Sequence, residues 1–232
     1  MCRMDILVKV NWYMLLAIFI SISCWWMLLR ERLGIKWYQA ILLGAVETFF
    51  GAVAAKVLAL AEVGFNLAIA PAVRWYGAVW ILPLVAYVLA KIFKKKATPF
   101  IDATGVVAAI ALICVRVFCI ADGCCGGMPI VRGGQFTWPI REIEMIFCVV
   151  YILVYWKQVY TGTSYGQVYP MYMISYGIVR FIIEWLRDEF TGNIGIIHLA
   201  HIWSLITIVA GAAIYFEIQE NQKRKAKRRT RK

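Results

Sequence analysis

The 232-residue chain is 62% hydrophobic and 16% charged, with a mean hydropathy of +0.72, whereas soluble domains sit nearer half apolar and a quarter charged. A water-soluble globule is excluded. Lys and Arg (25) outnumber Asp and Glu (13) for a net charge of +12, yet long windows hold almost no charge, the pattern of a multi-span membrane protein with basic loops.

A helix needs about 20 apolar residues to cross a hydrocarbon core of ~30 Å. Seven windows come close, at residues 10–29, 37–61, 73–93, 104–121, 143–156, 171–186 and 197–216. The fourth carries Arg116 and the fifth is short, so both places are open to a tilted or partly re-entrant segment. The expected fold class is an all-α polytopic membrane protein of about seven transmembrane helices, forming one domain over residues 1–222 with a basic tail at 223–232. Sixteen basic residues fall in the loops and tail of one side and six on the other. The positive-inside rule then places the N-terminus outside and the C-terminus in the cytoplasm. The tail, KRKAKRRTRK, reads as a topology determinant lying against an acidic leaflet, and nucleic acid is not an expected partner. Residues 1–9 do not open a cleaved signal peptide, and Cys2, which follows no apolar run, is not a lipobox cysteine.

Ionisable groups inside spans cost several kcal/mol unless they face partners or water, so they are functional candidates. They are Glu47, Lys56, Arg116, Arg180 and Glu184, with Glu144 and His201 near span ends. At about 1.5 Å per residue, all but Glu47 fall in the outer half of the membrane, at the depth of a lipid headgroup drawn slightly inward. In the sixth window, Tyr176, Arg180, Glu184 and Arg187 fall within about 80° on one helical face. Such a stripe cannot face lipid. Either Arg180 and Glu184 form a buried ion pair that only locks helices together, or two arginines await an anion. The second reading is the expected one, because Arg116, at the same depth, is left without a carboxylate, and a guanidinium fork suits phosphate.

Between the fourth and fifth windows lie Asp122-Gly-Cys-Cys-Gly-Gly and Arg132-Gly-Gly, where backbone N–H groups can approach a phosphate as a nest. Cys119, Cys124 and Cys125 invite a metal reading. No C-x2-C pair and no suitably spaced histidine completes a tetrahedral site, however, so no metal is expected and these are read as small packing residues. Whether Cys124 and Cys125 pair is open.

The run Arg116-Val-Phe-Cys-Ile-Ala-Asp122-Gly-Cys-Cys-Gly-Gly127 resembles the glycine-rich signature of the prolipoprotein diacylglyceryl transferase family, usually G-R-x-G-N-F-x-N-G-E-x-x-G. Asp102 stands where that family has an aspartate before the same span. Tyr176-Gly-x-x-Arg180-Phe-x-x-Glu184-x-x-Arg187 is similar to the family's Y-G-x-x-R-F-x-x-E-x-x-R, and Ser204-Leu followed by Val209-Ala-Gly211 fits its last span. The resemblance runs from about residue 51 to 211. It departs where Tyr76 replaces the motif histidine of Tyr76-Gly77-Ala78, where Cys119 replaces an asparagine, where only Trp138-Pro139 and Glu144 remain of H-P-x-Q-x-Y-E, and where His201 replaces a glutamine. This looks like a divergent, cysteine-rich branch.

The resemblance implies a seven-span enzyme of the bacterial cytoplasmic (inner) membrane that moves the diacylglyceryl group of phosphatidylglycerol to the lipobox cysteine thiol of a preprolipoprotein, with no cofactor or metal. It implies that Arg116 and Arg180 hold the phosphate and stabilise the leaving group, that Glu184 orients an arginine, and that Tyr76 either acts as a base, with help from a cation such as Arg74, or hydrogen-bonds the lipid. It implies lipid contacts at Tyr176, Arg187, Gly77, Asp122, Gly123, Gly127 and Glu144, with His201 a second candidate base or a structural histidine. Two other readings remain at this stage. One is a relative that binds anionic phospholipid without transferring it, motivated by the missing histidine. The other is a small transporter whose path Lys56, Arg116, Arg180 and Glu184 would line, although inverted repeats are missing.

Overall fold

The computed structural model describes residues 12–66, 73–130, 136–187, 193–194 and 197–229. Among them are seven helices: α1 (Trp12–Leu33), α2 (Trp37–Ala61), α3 (Trp75–Ile92), α4 (Ala97–Ala121), α5 (Ile140–Thr161), α6 (Val168–Glu184) and α7 (Leu199–Arg229). A two-residue antiparallel pair, β1 (Asn193–Ile194) and β2 (Ile197–His198), precedes α7. Six helices are long and apolar enough to cross a membrane. The other is α6, at 17 residues, which carries the Arg180/Glu184 stripe. The expected all-helical, polytopic fold is the observed one. The start of the first window, Arg3, Lys9 and Arg132-Gly-Gly lie outside the described residues.

Helix α4 begins seven residues before its apolar window, because Asp102, which reads as a boundary, is buried. Its carboxylate accepts hydrogen bonds from the backbone N–H groups of Gly166 (2.7 Å) and Val168 (3.0 Å). Those N–H groups open α6, whose own N-cap, Gln167, makes no side-chain cap. A residue of one helix thus caps another, satisfying donors that would otherwise be orphaned. Helix α7 likewise runs past its window to Arg229, carrying the first part of the basic tail as helix.

Helix α4 is the central element, touching α1, α3, α5 and α6. Its middle is built from Ala103, Gly105, Val106, Val107, Ala108, Ala109 and Ala111, all buried. Small residues let helix backbones approach closely, which drives association in lipid where the hydrophobic effect does not. The one carboxyl near mid-depth, Glu47, is held by neutral donors from two neighbours, Trp26 Nε1 of α1 (2.7 Å) and Thr104 Oγ1 of α4 (3.1 Å). Helices α6 and α7 meet through two glycines. A Cβ on Gly177 would lie 3.0 Å from the Ser204 carbonyl, and one on Gly211 3.0 Å from the Pro170 carbonyl.

The helices alternate in direction, so the bundle has two chemically different ends. At one end, Gly34 lies against Lys95, Gly162 against Arg32, and Gly166 against Thr98 and Ile218. This gathers the α1–α2, α3–α4 and α5–α6 turns and their Arg and Lys residues. At the other end the starts of α3, α5 and α7 meet the ends of α4 and α6.

Gly77, expected to touch lipid, instead sits where α3 crosses α2. A Cβ there would fall on the backbone of Ala54 and Ala55. The position is small because two helices touch, and no ligand is needed to explain it. Gly77→Ala is therefore expected to lower stability by about 1–3 kcal/mol through overpacking, read as a reduced thermal unfolding midpoint in detergent. Gly126→Ala, with nothing within 4 Å of its added methyl, is the control, and equal midpoints for the two variants would contradict this packing.

Candidate active site

On α5 the buried residues Ile140, Glu144, Cys148 and Tyr151 recur at helical spacing, so Glu144 is the polar member of an otherwise core-facing stripe. It is completely buried. Its Oε2 meets Arg116 Nε of α4, and its Oε1 meets Arg180 Nη1 of α6 at 3.3 Å. Arg180 Nη2 also reaches Glu184 Oε2, one turn on, at 2.6 Å. Glu184 in turn lies 3.8 Å from Arg187 Nη1 and 3.7 Å from His198 Nδ1. Arg116, Arg180, Glu184, Arg187 and His198 are all buried.

This corrects the expectation that Arg116 lacks a carboxylate. Glu144, 28 residues away in sequence, is its partner, and one acid serves two arginines. Each guanidinium keeps N–H groups beyond those used on Glu144, held side by side by a common post. The set does not include Lys56, which is half-buried on α2, and Glu47 has its own neutral partners.

Two tyrosines complete the wall. Tyr176 stacks on Tyr172 (centroids 5.6 Å apart, planes 4° apart) and lies 5.7 Å from the Tyr76 ring. Its hydroxyl is buried and makes no hydrogen bond among the described residues. The Tyr76 hydroxyl is differently placed, 2.5 Å from Ser204 Oγ and 3.4 Å from the Ala200 carbonyl. Because Ser204 Oγ donates to Ala200 O at 2.8 Å, Tyr76 donates to Ser204 and ties α3 to α7. The cation expected to assist Tyr76, Arg74, is engaged with Glu62 Oε2 at 2.5 Å. The His201 ring packs on Phe181 and Trp185, and its Nδ1 accepts the His198 N–H at 3.2 Å, as a structural histidine does.

The glycine-rich loop closes over this cluster through backbone bonds. Gly127 forms a β-bridge with Arg187, and the Met128 N–H donates to Leu186 O at 2.8 Å. A Cβ on Gly127 would lie 2.7 Å from that of Trp138, so only glycine brings the loop this close. Asp122 and Gly123, by contrast, are exposed at the rim, away from the ion pairs. Arg141, unassigned by sequence reasoning, clamps the loop: its Nη1 donates to the carbonyls of Cys119 (3.2 Å) and Cys124 (3.0 Å). The Sγ atoms of Cys119, Cys124 and Cys125 lie within 4.8 Å of one another. At Arg187, burial foremost and then the charges of Arg180 and Arg116 lower the pKa from the ordinary arginine value, Glu184 opposing them. A cation so placed gains most from an arriving anion.

Comparison with known sequences identifies the family. Residues 2–217 match the family model for prolipoprotein diacylglyceryl transferase. The chain is 28% identical over 115 residues to the phosphatidylglycerol–prolipoprotein diacylglyceryl transferase of Clostridium tetani (strain Massachusetts / E88), across 43% of this chain and 45% of that protein. It is 25% identical over 116 residues to phosphatidylglycerol–prolipoprotein diacylglyceryl transferase 2 of Clostridium perfringens (strain 13 / Type A), across 43% of this chain and 44% of that protein. The aligned region spans less than half the length of either relative.

Glu144→Gln keeps the volume but removes the charge that two buried arginines share. Breaking a buried pair in this way costs about 3–5 kcal/mol, so the unfolding midpoint in detergent is expected to fall well below that of wild type. Glu31→Gln, whose side chain is 87% exposed, should leave it unchanged. A wild-type midpoint for Glu144→Gln would show that the two arginines do not depend on this carboxylate.

Proposed function

The chain belongs to the prolipoprotein diacylglyceryl transferase family, and from that premise we propose that it transfers the diacylglyceryl group of phosphatidylglycerol to the lipobox cysteine thiol of preprolipoproteins, with Arg116 and Arg180 holding the phosphate. The observation that carries this reading is the convergence of those two buried arginines, from α4 and α6, on the single carboxylate of Glu144. Two forks fixed side by side offer a phosphodiester paired N–H donors, in a setting where charge-assisted bonds are strong. The neighbouring Tyr176 hydroxyl would gain the partner it lacks.

In the reaction the thiol gives up its proton to water at the membrane face, and its sulfur bonds to the glyceryl carbon as the bond from that carbon to the phosphate oxygen breaks. The electron pair stays on the phosphate and glycerol phosphate leaves. Arg116 and Arg180 stabilise the charge that grows on the departing oxygen. Glu144, Glu184 and the Gly127 loop are positioning residues, since they fix the guanidiniums before substrate arrives. Arg187, buried beside Glu184, adds a third positive charge to the cluster. Tyr76, whose proton goes to Ser204, joins α3 to α7 and supports Tyr176, and is not assigned as the base.

The sidedness suits the chemistry. The ion-pair end is opposite the end that gathers the basic turns, so the positive-inside rule puts the site at the outer face of a bacterial cytoplasmic membrane, where lipobox thiols emerge.

With phosphatidylglycerol vesicles and a lipobox peptide, the purified protein should yield peptide carrying a diacylglyceryl thioether, detected by mass spectrometry. Arg116→Ala and Arg180→Ala should each lower the rate by about 10²–10³, the size seen when one donor to a developing oxyanion is removed. Full activity in either variant sinks the phosphate-holding role. Phospholipid binding by the wild-type protein with no thioether formed would replace the transferase reading with a lipid-binding one.

A further inference from the structure

Three cysteines that have no place in the mechanism above meet beside its arginines, and the local backbone explains why. Helix α4 ends in a Schellman closure. Asp122 is the C-cap, Gly123 takes a left-handed φ of +64°, the Cys124 N–H reaches back to Cys119 O (3.0 Å), and the Gly123 N–H to Ile120 O (3.1 Å). That closure brings together the side chains at the third-last helical position and the second position past the cap, here Cys119 and Cys124. Cys125 follows with a second left-handed φ of 57°, which turns its side chain onto the same spot. The three Sγ atoms lie within 4.8 Å of one another and are half-buried. Tetrahedral Zn–S bonds of about 2.3 Å set S···S spacings of about 3.8 Å, so about 1 Å of side-chain movement closes the set.

We propose that Cys119, Cys124 and Cys125 bind one thiophilic divalent cation of the zinc type through three thiolates, and that its fourth position takes the thiolate of the acceptor cysteine. Three thiolates and a divalent ion carry a net negative charge, and the surroundings offset it. Arg116 Nη1 lies 3.9 Å from Cys119 Sγ, and Arg141 Nη1 holds the Cys119 and Cys124 carbonyls. Among the described residues no fourth cysteine or histidine joins the group. Three protein ligands with one open position are the pattern of a catalytic zinc site, where four protein ligands would mark a structural one.

The inference rests on the transferase reading for its chemistry, although not for the site itself. A thiol entering the fourth position loses its proton to water at the membrane face and binds as thiolate. Its sulfur then bonds to the glyceryl carbon, the bond from that carbon to the phosphate oxygen breaks toward the phosphate held by Arg116, and the neutral thioether leaves the metal. No oxidant or reductant is required. The same guanidinium touches both the proposed metal ligand and the proposed phosphate site, so nucleophile and leaving group are separated by one side chain. The metal would supply the thiol activation that Tyr76 cannot.

Purified full-length protein, reduced and metal-free in detergent, should bind Co²⁺ with thiolate-to-cobalt charge-transfer and tetrahedral ligand-field bands that saturate at one equivalent and are displaced by Zn²⁺. Cys119→Ser and Cys125→Ser should each abolish the bands with little change in unfolding midpoint, and Cys24→Ser, at an exposed position on α1, should leave them. Bands that never form in wild type, or that persist in Cys119→Ser, overturn the site. In the vesicle assay, chelation should slow transfer by at least about a hundredfold and Zn²⁺ alone should restore it. Undiminished transfer by chelated protein overturns the metal's role and leaves the transferase reading intact. Bands lost in both serine variants, with no transfer under any condition, uphold the metal site and overturn the transferase reading.

Discussion

A carboxylate taken out of water must be compensated by cations or hydrogen bonds, since an unpaired charge in lipid costs more than most folding interactions return. Glu144 meets that demand with two arginines from two helices, and in doing so it fixes how α4, α5 and α6 end relative to one another. The consequences spread outward. Arg180 so held can also bind Glu184, Glu184 brings in Arg187 and His198, and the Arg187 backbone gives the glycine loop its edge to pair with. The same chain of contacts that secures the bundle end therefore orients every group assigned to the phosphate.

The spans were legible because lipid imposes one strong rule, a sustained apolar run. The α2 window and helix coincide at 37–61. Boundaries failed where a polar residue was buried for a tertiary reason: Asp102 reads as a helix limit until it is seen capping α6. Within the site, the Tyr176/Arg180/Glu184/Arg187 stripe could be found because its members share one helix, and 3.6 residues per turn is enough to align them. The Arg116–Glu144 pair could not, because no local period relates positions on separate helices.

Two further features have equally physical origins. Gly77 follows a tyrosine in a motif-like position, but its smallness answers to a helix crossing, and sequence alone cannot tell a close backbone from a close ligand. The cysteines were judged by the spacings of known tetrahedral sites. A local signal was present all the same: a glycine placed to close the helix, with cysteines at the two positions that such a closure brings together. Capping geometry, which is short-range, is the readable cue to their meeting.

Helix α6 is fastened at both extremities to other parts of the bundle, by Asp102 of α4 at its beginning and by Glu144 of α5 at its end. At 17 residues, or about 26 Å, it behaves as a strut pinned at two posts, with little freedom to swing. Its opposite flank meets α7 through glycine-lined backbone contacts, and the Tyr76 hydroxyl, at Ser204 and Ala200, ties α3 to α7. The ties among the described residues are thus unevenly distributed, buried ion pairs and a borrowed helix cap along the α4–α5–α6 wall against a hydroxyl pair where α3 meets α7.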